Sequence, residues 1–262
     1  MSETSSAAAP AAQSAHAHGV PQPAGRPAAA AVGPQVQRQF VNFAFYKLDP
    51  AFRRLSDGEK QAARAEFLAV ANQRREGMIC LTYSTVGMRP DVDFLLWRIG
   101  DIPDRFQDHT QAMNKTRIGG YLTTPINFLS MTKRSMYVDK LDPFHTAESR
   151  THIIPGKRKY LFVYPFVKTR DWYLLPLEER QAIMDVHIKV GNEFPSVKLN
   201  TTYSFGLDDQ DFVVAFESDK PEDFLDLVMK LRETQSSKYT QRDTPIVTCI
   251  QMPMEKVLDQ LF

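Results

Sequence analysis

The stretch from Asp91 to Phe106 comes back later in the chain. Asp91, Asp93, Phe94, Asp101, Pro103 and Phe106 recur as Asp209, Asp211, Phe212, Asp219, Pro221 and Phe224, each 118 positions on. Glu59, Gln61 and Ala62 return as Glu179, Gln181 and Ala182 at an offset of 120. Such a repeat restricts the fold to two copies of one supersecondary unit, each with a face that the other buries.

The unit is legible from its patterning. Residues 36 to 48 alternate Phe40, Phe43 and Phe45 with polar residues, as a half-buried strand does. Ser56 followed by Glu59 is a capping box and opens a helix to about Arg75. Strands are expected over 78–87 and 91–99, joined by a tight turn at Met88, Arg89 and Pro90. A helix from Pro103 to about Lys115 and a strand over 125–138 complete a β-α-β-β-α-β order. It repeats as strand 158–168, helix 176–194, strands 197–205 and 211–218, helix 221–238, strand 245–251 and a short amphipathic tail. Each copy makes a four-stranded antiparallel sheet with helices on one face, and packing the open faces together gives an α+β fold, a dimeric α+β barrel of two ferredoxin-like repeats. The expected divisions are an Ala/Pro-rich disordered tail over 1–36, an N-terminal half over 37–138, a linker over 139–157 and a C-terminal half over 158–262.

Composition narrows the partners. The chain carries 32 basic and 31 acidic side chains, with no basic run interleaved with aromatics, so nucleic acid is not an expected partner. No apolar run approaches the ~20 residues of a membrane span. The N-terminus lacks the layout of a signal peptide, so a cytoplasmic protein is expected. Cys80 and Cys249 lie in apolar strands and read as free thiols, while His16 and His18 in the tail carry no site.

The residues with the most chemical content lie between Lys159 and Phe194. A strand there carries Tyr164 and Lys168. After a turn at Asp171 and Trp172, a helix places Ile183, Met184, His187, Val190, Gly191 and Phe194 at spacings of three and four, which puts His187 on the apolar face. A core histidine and a ligand both fit that position. The repeat register sets Phe67 opposite His187, so the imidazole belongs to the C-terminal copy alone. Gly191, one turn on, makes room for a bulky group at a cost of about 1 kcal/mol in helix propensity. A neutral imidazole facing an apolar cavity suits an axial haem ligand, whose second ring nitrogen needs an acceptor. Glu217, a carboxylate in an apolar run, is the candidate acceptor; a glutamate facing water at a sheet edge fits equally.

The segment YPFVKTRDWYLLPLEERQAIMDVH, residues 164–187, closely resembles the haem-pocket segment of the chlorite dismutase-like family, and in particular of its actinobacterial-type coproheme decarboxylases. Supporting stretches are GMRPDVDFLLW (87–97), VKLNTTYSF (197–205), DFVVAFES (211–218) and DLVMKLRETQSSKY (226–239). The resemblance implies a dimeric α+β barrel, usually a homopentamer, with an iron porphyrin in the C-terminal half. It makes His187 the proximal iron ligand, Tyr164 the redox-active residue that abstracts hydrogen from a propionate, and Lys168 a propionate contact. His152, with His145 in reserve, matches the distal base for peroxide. Arg232 and Ser237 keep the spacing of a propionate site, with a solvated helix face as the alternative. Chlorite dismutases carry an arginine over the iron on the strand after the histidine helix; counting from His187 puts Asn200 there. They also have an aliphatic residue in place of Tyr164. The implied activity is hydrogen peroxide-dependent conversion of Fe-coproporphyrin III, both substrate and redox cofactor, to haem b. The alternatives are a chlorite dismutase-type enzyme and a non-catalytic haem carrier or sensor.

Overall fold

A computed structural model describes residues 37–137 and 152–262 of the chain. His16, His18 and His145 lie outside the described residues, as does most of the expected linker.

The first half runs β1 (Phe40–Leu48), α1 (Asp57–Ala71), β2 (Met78–Ser84), β3 (Phe94–Gly100), α2 (Asp104–Asn114) and β4 (Leu122–Met131). The second runs β5 (Tyr160–Lys168), α3 (Arg170–Leu174), α4 (Leu177–Asn192), β6 (Lys198–Tyr203), β7 (Phe212–Ser218), α5 (Pro221–Arg232), β8 (Thr240–Arg242), β9 (Val247–Gln251) and α6 (Met254–Leu261). β1 and β5 have the same length and lie 120 positions apart, and β3 and β7 repeat at 118, as the sequence offsets require. The capping box forms at α1: the Ser56 hydroxyl accepts from the Glu59 amide, while the Glu59 carboxylate accepts from Ser56. Two expectations shift. The tight turn after β2 is a loop over 85–93, closed by the Thr85 amide donating to the Asp93 carbonyl at 2.8 Å, while the Asp93 amide donates to the Tyr46 carbonyl of β1. The turn at Asp171 and Trp172 is the short helix α3, and the amphipathic tail is α6.

The strands form an antiparallel ring in the order β7-β6-β4-β1-β3-β2-β9-β5, which a β5–β7 pairing closes. Within each half the ladders are long; between halves they are short seams, Met131 opposite Tyr203 and Tyr83 opposite Gln251. Successive side chains on a strand face opposite sides. One set fills the lumen, with Phe43, Phe45, Trp97, Val163, Val213 and Ala215 at its centre. The other set packs under helices in two separate clusters. In the first half Ala44, Phe67, Leu96 and Met113 meet α6 through Val257 and Leu258. In the second half Phe162, Tyr164, Val214 and Phe216 meet Phe224 and Leu227 of α5. Among the described residues no helix is long and apolar enough to cross a membrane.

Candidate functional site

Tyr164 and Lys168 lie on β5, and alternation along the strand turns the phenol toward the helices. Tyr164 is buried, stacks on Phe216 with ring centroids 6.1 Å apart, and makes no hydrogen bond through its hydroxyl among the described residues. Burial, and then the nearby Asp243 carboxylate, push its pKa well up, so the phenol keeps its proton. Arg232 opposes that shift from the same neighbourhood and pairs with Asp243 at 3.1 Å. The structure thus brings Tyr164 and Arg232 together and adds Asp243, which sequence reasoning missed. Ser237 sits half-buried in the turn after α5, five residues beyond Arg232.

The Lys168 ammonium is buried, donating to the Ser236 carbonyl at 2.7 Å and to the Ser236 hydroxyl at 2.9 Å. It also stands 4.7 Å from the centroid of the Trp172 ring and 5.3 Å from that of Phe166. These are its partners within the protein, and burial lowers its pKa to about 8. Ser236, rather than Ser237, is the serine that this cation uses.

His187 projects from α4 with its Nδ1 buried and without a hydrogen-bond partner among the described residues. Burial, reinforced by the Lys168 charge, lowers its pKa to about 4, so the imidazole is neutral at physiological pH. An added side-chain carbon at Gly191 meets nothing within 4 Å, which is the open space expected beside the histidine. Its counterparts in the first half are filled: Phe67 is fully buried and Ala71 nearly so.

The sheet shows why one half is open. Thr82 pairs with Leu96, and 118 positions on Val214 pairs with Thr201, so Thr201 is the counterpart of Thr82; Leu199 matches Cys80 in the same way. In the first half α6 covers this edge, with Thr82 bonding to the Met252 carbonyl and Ser84 to Gln260. In the second half no described helix takes that place, and Leu199 is 52% exposed on the helix side of the sheet. Thr201, Val214 and Tyr164 form one lateral row across β6, β7 and β5. Leu199 and Thr201 thus stand on the helix side of β6, which no described helix covers at Leu199.

Three expected residues lie elsewhere. Glu217 faces the lumen side, in phase with Val213 and Ala215, and accepts from the Gly156 amide at 2.6 Å and from Asn200 Nδ2 at 2.9 Å. It is therefore across the sheet from His187 and does not serve its ring. Asn200 shares that face, because a count along the chain ignores strand alternation; its neighbours Leu199 and Thr201 hold the helix-side positions. His152 is exposed at a cleft of about 800 Å³ with Gln39, Arg74 and Arg75, and the next residue, Ile153, donates to Gln39 and packs in the barrel core. That location, at the first half, is apart from Tyr164 and His187. A groove of about 590 Å³ between α4 and the end of α5, lined by Ile183, Val190, Lys230 and Thr234 among others, contains none of the site side chains.

The donor set fits an iron porphyrin. One neutral imidazole beside open space suffices where the macrocycle supplies the other nitrogens, and Arg232 offers a guanidinium for a carboxylate. Among the described residues no group of three or more His, Cys, Asp or Glu gathers, so nothing here builds an all-protein metal cage.

Comparison with known proteins follows the same line. Coproheme decarboxylase of Mycolicibacterium smegmatis is 29% identical over 181 residues, covering 68% of this chain and 75% of that protein. Chlorite dismutase of Ideonella dechloratans is 28% identical over 226 residues, covering 85% and 79%. The crystal structure of a chlorite dismutase mutant from Candidatus Nitrospira defluvii superposes with a TM-score of 0.77 at 24% identity, over 85% of this chain and 94% of that one. The profile described as Chlorite dismutase matches residues 60–252, well over half of the chain, which therefore belongs to the chlorite dismutase family.

Proposed function

We propose that the protein is a hydrogen peroxide-dependent coproheme decarboxylase, converting Fe-coproporphyrin III to haem b. The observation that carries this reading is the buried Tyr164 phenol, protonated, free of hydrogen bonds among the described residues and within the field of the Arg232 and Asp243 pair. The M. smegmatis relative, named as a coproheme decarboxylase, supports it.

An iron porphyrin, when bound, would supply peroxide-driven two-electron oxidation. His187, neutral and on the apolar side of α4, would hold the metal. Arg232 binds a propionate carboxylate after exchanging it for Asp243. Tyr164, in the same group, gives up a hydrogen atom, its electron and proton leaving together, and regains one from the propionate side chain. For each propionate, one carboxylate and one hydrogen peroxide take up a proton and become a vinyl group, carbon dioxide and two waters; two rounds complete the conversion. On the helix side of β6 the residues are Leu199, Thr201 and Tyr203, so that strand presents no guanidinium to that side. This disfavours the chlorite dismutase alternative. A cytoplasmic homopentamer belongs to the same reading and is checked by sedimentation of the purified protein.

The test loads the protein with ferric coproporphyrin III, titrates hydrogen peroxide and follows porphyrin mass. Two successive decarboxylations are expected. Tyr164→Phe should bind the porphyrin and lose at least about 100-fold in conversion, the scale of a missing proton-transfer group. Conversion by Tyr164→Phe at the parental rate sinks the mechanism, binding without mass loss indicates a carrier, and rapid oxygen release from chlorite indicates a dismutase.

A further inference from the structure

Trp172 is almost fully buried and stands at the centre of an aromatic ladder. Its ring centroid is 5.5 Å from that of Tyr239 and 6.4 Å from that of Tyr137, both of which are half-buried. Indoles and phenols are the side chains most readily oxidised by one electron, and this ladder runs from beside Lys168, whose charge acts on His187, to two half-buried rings. Tyr164 differs: its ring contact is with Phe216, which gives a hole nowhere to go.

The ladder is guarded by charge. Lys168 holds its ammonium 4.7 Å from the Trp172 ring, and Lys238 holds another 5.8 Å from the Tyr239 ring. Lys168 is fixed there by two hydrogen bonds to Ser236. A cation over a neutral ring is attracted by the negative face of the π-system. Removing an electron reverses that sign, and the ammonium then repels the ring.

We propose that Lys168 is a positioning residue that acts through Trp172: its ammonium makes the indole harder to oxidise and keeps oxidising equivalents from leaving the site along the Tyr137, Trp172 and Tyr239 ladder. The proposal rests on the peroxide-driven reading of the site. The side reaction it prevents is balanced: the indole loses two electrons, one oxygen of hydrogen peroxide becomes a ring hydroxyl, and the other leaves as water. Every such event wastes one peroxide and damages Trp172.

The first arm of the test needs no porphyrin. The free protein is oxidised with photo-excited tris(bipyridine)ruthenium and persulfate, and conversion of Trp172 is compared by peptide mass spectrometry with that of Trp97, which is buried and has no cation over its ring among the described residues. Lys168→Met should raise the ratio of Trp172 to Trp97 oxidation about tenfold, as expected for removing a like charge at this range. Lys168→Arg should leave the ratio near the parental value. Equal ratios in all three proteins overturn the proposal. In the second arm, ferric coproporphyrin III and peroxide are added. Lys168→Met should form fewer vinyl groups per peroxide while Trp172 gains oxygen, and adding Trp172→Phe should restore the yield. Failure of that rescue shows that Lys168 serves the substrate directly and overturns the proposal. Protection in the first arm with no porphyrin turnover in any protein supports the role of Lys168 and removes the decarboxylase reading instead.

Discussion

Two buried imidazoles give the molecule a pH dependence. His187 carries an orphaned Nδ1, and His109 on α2 is fully buried with neither ring nitrogen bonded among the described residues. Burial, with the Arg98 and Arg75 charges, lowers the His109 pKa to about 4, the same value that burial and Lys168 give His187. Between the ordinary value of 6.5 and about 4 the unfolded chain therefore binds more protons than the folded one. Stability is fully present above that window and falls as pH drops through it. Urea midpoints of the porphyrin-free protein should decline from about pH 6.5 to pH 4, and His109→Leu should flatten the decline because it removes one of the two groups. An unchanged slope in that variant means that His109 is not buried neutral. At this scale the sequence singled out Tyr164, Lys168 and His187 on β5 and α4 but not the protein groups around them. Ser236 and Asp243 sit 68 and 79 positions beyond Lys168 and Tyr164, and no periodicity links them.

Along β6 a shift of one residue decides which chemistry lies on the helix side. Asn200 donates to Glu217 on the lumen side, whereas Thr201 stands on the helix side. Asn200→Ala should cost about 1–3 kcal/mol in urea unfolding, since it leaves the buried Glu217 short of a donor, and should leave the absorption spectrum of the coproheme complex unmoved. Thr201→Arg should change that spectrum with little effect on stability. The reverse pattern means that the register across β6 and β7 differs from that described. The helices were easier to read than the strands' faces. Heptad-like spacing placed His187 on the apolar side of α4, and the capping box marked the start of α1, because both signals are local. Which face of β6 or β7 meets a helix depends on ladders to β4 and β5, and these join residues far apart in sequence.

The whole molecule is a ring of two similar halves, and among the described residues only the first carries a helix such as α6 over its β2 edge. α6 closes the first half, with Met254, Val257, Leu258 and Leu261 all buried, and Arg64 bonds from α1 to the Glu255 carbonyl and to Asp259. Leu258→Ala should therefore cost about 2–5 kcal/mol in global stability, as for a fully buried leucine, with porphyrin affinity unchanged. A loss of affinity matching the loss of stability means that the two halves are not independent at this level. The short seams at β4–β6 and β2–β9 are consistent with two units that each build their own helix-side cluster and share the lumen.

The sequence by itself determined the repeat, the α+β class, the asymmetry of Phe67 against His187 and the candidacy of Tyr164, because these rest on residue spacing and identity. Only the tertiary structure decided that Lys168 is engaged by Ser236 and Trp172, that Glu217 and Asn200 face the lumen, that His152 lies at the first half, and that α6 leaves the second half open. Each of those depends on closing an eight-stranded ring, where a contact is set by register across the sheet rather than by position along the chain. The segment that opens at Tyr164 keeps its central place, with its cation held by Ser236 over the Trp172 indole.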